Sequence, residues 1–144
     1  MVGAGGELDR RIVLSFAALV LAQAVHSVEE FVFRLYDVLA PARAVSLFFS
    51  IDPRAGFAVS NSALVLFGLF CLAGPVAQGR RSASPFLWCW GVLEFANGCG
   101  HIALAVASGG YFPGLYTAPL LIGAASVLIA LLASPLRRNA PAGR

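Results

Sequence analysis

The 144 residues suit one domain, and their composition names its solvent: 59% are apolar and 12% charged, with a mean hydropathy of +0.83. A soluble domain has about a quarter of its residues charged, so an ordinary cytoplasmic enzyme is excluded. The net charge of +3 comes from arginines set between apolar tracts, a pattern that concerns anionic headgroups and topology and leaves no role for nucleic acid.

Crossing about 30 Å of hydrocarbon takes a helix of about 20 apolar residues. Four such tracts predict an all-α, polytopic membrane protein: one membrane domain over 1–144, a four-transmembrane-helix bundle with spans at 11–33, 57–77, 85–108 and 115–134. Arg10, Arg11, Arg80, Arg81, Arg137, Arg138 and Arg144 then fall on one side, and Arg34, Arg43 and Arg54 on the other. The positive-inside rule makes this a multi-pass protein of the cell membrane with cytoplasmic N- and C-termini.

The first span, Arg11 to Phe33, lacks Gly and Pro, and its outer half carries Gln23, His26, Ser27, Glu29 and Glu30. The alternative is a cleaved signal peptide, with Ala22 and Ala24 near the cut and the polar cluster just beyond it. In the connection 34–56, Ala44 to Phe49 is apolar but too short to cross, which predicts a short interfacial or re-entrant helix. The second span opens with Ser60, Asn61 and Ser62 and closes at Gly74-Pro75; the third carries Trp88 and Trp90 as interface anchors near its inner end. The fourth follows an uncharged turn at 109–114, is interrupted by Pro119, and offers Gly123, Ala124, Ala125 and Ser126 for close helix contact. A basic tail begins at Pro135. Cys71, Cys89 and Cys99 lie within spans as small apolar fillers, and no C-x-x-C occurs.

Three of the seven acidic residues, Glu29, Glu30 and Glu94, and both histidines, His26 and His101, lie at membrane depth. Each such group costs about 2.5 to 3.5 kcal/mol to insert, so the set needs a reason. Helical spacing puts His26 with Glu29 and Glu30 on one side of the first span, and Glu94, Asn97 and His101 on one stripe of the third. By helix rise, His26 is about 22 Å from Arg11, and Asn97 and His101 are about 18 and 24 Å from Pro85. The two stripes are expected to meet between the first and third helices.

Two chemistries suit that cluster. In one, His26, Glu30, Glu94 and His101 bind a divalent metal such as Zn or Fe, with Glu29 or Asn97 supporting them from behind. In the other, a desolvated carboxylic acid donates a proton while a second carboxylate or a histidine accepts it. Either makes an intramembrane enzyme of lipid metabolism in which His26, Glu29, Glu30, Glu94, Asn97 and His101 act by hydrolysis, isomerisation or cyclisation on a lipophilic, isoprenoid-like molecule from the bilayer. The alternatives are a small-molecule or proton/ion binding-transport module, which would need a homodimer because four helices enclose little, bis-histidine haem ligation, and a non-catalytic accessory membrane subunit.

The segment His26-Ser27-Val28-Glu29-Glu30 resembles the signature of the HXXEE family of small bacterial integral membrane proteins. Glu94 to His101, followed by Gly110 to Gly114 and Thr117, is similar to that family's other characteristic region. The resemblance implies that His26, Glu29, Glu30, Glu94, Asn97 and His101 form the polar core, and it implies no activity. In site composition alone the chain is also similar to the emopamil-binding/sterol isomerase group, whose bundles use intramembrane His, Glu and Asn to shift a double bond.

Overall fold

The computed structural model describes residues 9–80 and 82–138, apart from the side chains of 135–138. Arg81 and Arg144, both expected on the inner side, lie outside the described residues. Among these residues the fold is all-helical: α1 Arg10–Val32, α2 Leu35–Val38, α3 Ala40–Phe49, α4 Pro53–Cys71 running into a π-helical turn at Leu72–Val76, α5 Ala83–Ser108, and α6 Ala118–Arg138. Two helices are long and apolar enough to cross a membrane, Arg10–Val32 and Pro53–Val76.

Local chemistry sets the boundaries. The Asp9 side chain accepts from the Arg11 N–H at 2.9 Å and starts α1. The helix ends where Arg34 takes the left-handed conformation at φ 59°, which turns the chain into α2 and α3. The expected short helix at 44–49 therefore begins earlier, at Ala40. Helix α4 starts at Pro53 and not at 57, because Asp52 caps it through the Arg54 N–H at 3.0 Å and Pro53 fits the first turn. Gly74-Pro75 does not stop the chain abruptly: the missing proline N–H is absorbed in a π-turn closed by the Ala77 N–H on the Leu72 carbonyl at 2.9 Å.

The fourth helix differs from expectation at both ends. It begins at Ala118, so Pro119 occupies its first turn and does not interrupt it. It also continues past Pro135 to Arg138. Pro135 cannot bond the Leu131 carbonyl, and the Ser134 hydroxyl donates to that oxygen at 2.8 Å instead.

Helix α6 packs extensively against both α5 and α1, α3 packs on α4, and α1 and α5 touch each other only briefly. Of the small residues expected on α6, Ala125 is buried in the core and Ala124 packs against it, whereas a Cβ on Gly123 would meet nothing; on α5, a Cβ on Gly98 would lie 2.7 Å from an Ile122 methylene. Trp90 is no interface anchor. It is 5% exposed, edge-on to Phe16 at 6.0 Å and stacked with Phe67 at 6.4 Å, in a core that includes Leu19, Leu87 and Leu128.

Candidate functional site

The polar residues of α1 lie toward its C-terminal end, and they face two ways. Glu29 is 7% exposed, so it does not lie open at the end of the helix. Its Oε1 accepts from the Tyr111 hydroxyl at 2.8 Å and from the Gly114 and Tyr116 N–H groups at 3.1 and 3.0 Å. Its Oε2 accepts from the Thr117 N–H at 2.8 Å and the Thr117 hydroxyl at 2.6 Å. Five donors on two oxygens define an acceptor-only carboxylate, set at the N-terminus of α6 where backbone N–H groups would otherwise lack partners. The Tyr111 phenol is held above its ordinary pKa, first by burial and then by its bond to Glu29.

The Thr117 hydroxyl has one proton, already given to Glu29, so it accepts from His26 Nδ1 at 2.7 Å. His101 is oriented in the same manner: its Nδ1 lies 2.6 Å from the Pro113 carbonyl, which can only accept. Gly114 lies against that imidazole. Its φ is +95°, and a Cβ there would collide with His101 Nδ1 and stand 2.7 Å from Cε1, so both backbone and space demand glycine.

With both Nδ1 protons committed outward, both Nε2 atoms turn inward onto Glu30. Glu30 Oε1 is 3.4 Å from His26 Nε2 and 3.1 Å from His101 Nε2; the rings meet edge-on with centroids 4.7 Å apart. All three ligand atoms lie within 4.8 Å of one another, and His26 Nε2 has no hydrogen-bond partner among the described residues. In the Nδ1–H tautomers each Nε2 lone pair is free and lies on the side of Glu30. Zn–N and Zn–O bonds of about 2.0 to 2.1 Å in a tetrahedron separate neighbouring ligand atoms by about 3.3 Å, close to the two spacings between Glu30 and the imidazoles.

Of the residues singled out in the sequence, the structure brings His26, Glu30 and His101 together. Glu94 is buried at 4% exposure but is outside the close trio. Its one side-chain partner is the Asn97 amide, at 3.4 Å. The site is not made by α1 and α5 alone, because the loop 109–117 and the start of α6 complete it. Thr117, Pro113 and Gly114 have roles that the sequence reading did not assign. The signal available was a Gly-Gly…Pro-Gly run ending in Thr just before an apolar tract, the pattern of a turn feeding a helix N-cap.

A cavity of about 560 Å³ opens beside Glu30, His101 and Asn97. Its apolar wall is Leu35, Leu39, Val45, Phe49, Phe57 and Leu64, so α3 covers it on one side and α4 on another.

Fold and site define a class: an all-helical protein, two of whose helices are apolar enough to cross a membrane, with a buried cluster of two histidines and a glutamate. Residues 17–129 match the family described as a protein of unknown function with HXXEE motif, and the chain belongs to that family. His26, Glu29 and Glu30 are the motif's named positions. No curated protein and no solved structure matches the chain.

Proposed function

We propose that this protein is an intramembrane enzyme in which His26, Glu30 and His101 hold a divalent metal ion, zinc or ferrous iron, that acts on a lipidic substrate entering from the bilayer. The observation that carries the reading is the double commitment of the histidines: each Nδ1 is bound to an outward acceptor, Thr117 or Pro113, and each Nε2 is left facing Glu30 Oε1. Outer partners that fix the tautomer and aim the ring are the usual support of a metal-ligating histidine. Three protein ligands leave positions for water or substrate, where a divalent ion polarises an oxygen or lowers the pKa of bound water. Glu94, buried with a single long contact to Asn97, is the group free to carry a proton. Hydrolysis, isomerisation and cyclisation all fall within reach of such a pair.

The membrane setting in this reading is four spans with both termini cytoplasmic. Helices α5 and α6, of 26 and 21 residues, are about 39 and 32 Å long at 1.5 Å per residue, enough to cross. Exposed Leu21, Val28, Leu66, Phe70, Leu93, Val106 and Val127 distribute apolar surface over every long helix, more than a water-facing protein of this size presents.

The test is elemental analysis of protein purified without added metal. One zinc or iron per chain is expected, with loss of the ion in His26→Ala and His101→Ala. Folded wild-type protein with no stoichiometric ion, which also takes up none on incubation with zinc or ferrous iron, would overturn the reading.

A further inference from the structure

Gln23, which lines the cavity beside the cluster, carries another orphaned atom, and its identity is fixed by a chain of hydrogen bonds that begins on the backbone. The Phe57 carbonyl can only accept, so the group at 3.2 Å from it is the Asn61 Nδ2. Asn61 Oδ1 therefore faces Ser27 and accepts from the Ser27 hydroxyl at 2.8 Å. That hydroxyl has spent its proton, so at 3.1 Å it must accept from Gln23 Nε2. Gln23 Oε1 is left as a pure acceptor. It is buried without a partner among the described residues, on a side chain only 1% exposed that lines the cavity. A buried acceptor of this kind costs about 1 to 3 kcal/mol unless a donor reaches it.

The other polar groups at the cavity narrow the donor's chemistry. Ser60 gives its one proton to the Phe57 carbonyl, while the Asn61 and Asn97 amides each give one N–H, to Phe57 and to Glu94, and keep a second for a ligand oxygen. No arginine lines the cavity, and an ionised carboxylate head has no proton to give Gln23 Oε1, so it would leave that acceptor unpaired. An ammonium head would oppose a metal at the neighbouring trio. A hydroxyl meets both demands: its proton suits Gln23 Oε1 and its oxygen keeps lone pairs for the cluster. The wall formed by Leu35, Leu39, Val45, Phe49, Phe57 and Leu64 is apolar, and a volume of about 560 Å³ is within the range of about 300 to 1,000 Å³ for small-molecule sites.

We propose that this cavity binds an uncharged long-chain alcohol, with the hydroxyl donating to Gln23 Oε1 and the chain lying beneath α3. This deepens the reading of the metal site by naming its substrate class, and it rests on that reading for the choice of hydroxyl over ammonium.

The experiment is equilibrium binding of radiolabelled hexadecan-1-ol to the full chain in nanodiscs, with competition by 1-methoxyhexadecane, hexadecanoate and hexadecylamine. The alcohol should bind at least about tenfold tighter than its methyl ether, the scale of one buried hydrogen bond. Gln23→Leu should erase that margin and leave ether affinity unchanged. Because it removes an unpaired acceptor, it should also leave the Tm of the ligand-free protein equal or higher. The proposal fails if Gln23→Leu weakens alcohol and ether alike, if hexadecanoate or hexadecylamine outcompetes the alcohol, or if the alcohol shows no saturable binding. The alcohol–ether comparison on the unmodified protein decides the matter even if the variant does not fold. Metal content measured on the same samples separates the two readings. A metal-free protein that retains the margin overturns the metal alone, and a metal-bearing protein without it overturns the alcohol alone.

Discussion

Glu29 and Thr117, 88 residues apart in the chain, are joined twice, through the threonine N–H at 2.8 Å and its hydroxyl at 2.6 Å. The same hydroxyl then accepts from His26, so one motif residue orients another by way of a distant loop. Glu30, the neighbour of Glu29, points about 100° further around the helix and meets both imidazoles. The two adjacent glutamates thus have separate duties, one anchoring the 109–117 loop and one completing the cluster.

Glu29→Gln should accordingly act on the fold. An amide in place of the carboxylate sets an N–H against a cradle of donors, and losing charge-assisted bonds there should cost about 2 to 4 kcal/mol. Thermal or denaturant unfolding in detergent measures it; an unchanged midpoint would remove the anchoring role.

Glu94→Gln should spare the fold and reduce chemistry. Its carboxyl has one long contact, so little structure depends on it. Once a substrate is established, turnover should fall by at least about 100-fold, the scale of a lost positioned acid or base. Turnover within a few-fold of the unmodified protein would place proton transfer elsewhere.

Thr117→Val keeps the shape of the side chain and removes the acceptor that holds His26 Nδ1. Metal affinity, measured by competition with a chelator, should drop about 10- to 100-fold, the range typical of lost outer partners of a ligand. Thr117→Ser should restore it. Equal affinities in all three proteins would mean that the hydroxyl does not orient the imidazole.

Acid and alkali should act on different parts of the molecule. Nε2 must be unprotonated to ligate, so the ion should be retained at higher pH and released on acidification. At the other extreme, the Tyr111 pKa is raised in the folded protein by burial and by Glu29. Its contribution is fully present below the unfolded phenol value of about 10 and is lost as pH rises through the higher folded value. Melting curves of Tyr111→Phe should lack that alkaline component; curves identical to those of the unmodified protein would show that the Tyr111–Glu29 bond does not couple to stability.

Reporter fusions placed in the 78–82 connection and at Gly110 should report opposite sides of the membrane, with the first cytoplasmic. The same side at both positions would mean that α5 does not cross.

Periodicity and depth were enough to mark His26, Glu30 and His101, because helical phase and rise are properties of sequence spacing alone. The supports of the histidines were not legible in that way. Thr117 and Pro113 serve through one backbone carbonyl and one hydroxyl, in a loop whose path is set by the Glu29 carboxylate 82 to 88 residues away. The placing of α6 against both α1 and α5 was hidden for a related reason: spacing shows which face is polar but not which neighbour it meets. Proline misled at 119 and 135, since its effect depends on whether the carbonyl it fails to bond finds another donor, as Leu131 does in Ser134.

Gly56 lies directly beneath the Ser46 carbonyl, and a methyl group there would overlap it. Helix α3 is thereby seated on α4 backbone to backbone, too close for either to slide along the other while the contact holds. The cover of the cavity is therefore not a separate flap. It is one arm of a hairpin locked at Gly56, and any widening of the cavity that keeps this contact must move both arms together. A side chain at position 56 would act as a wedge at the root of that hairpin, altering how fast an occupant enters and leaves from a place that touches neither the occupant nor the histidines.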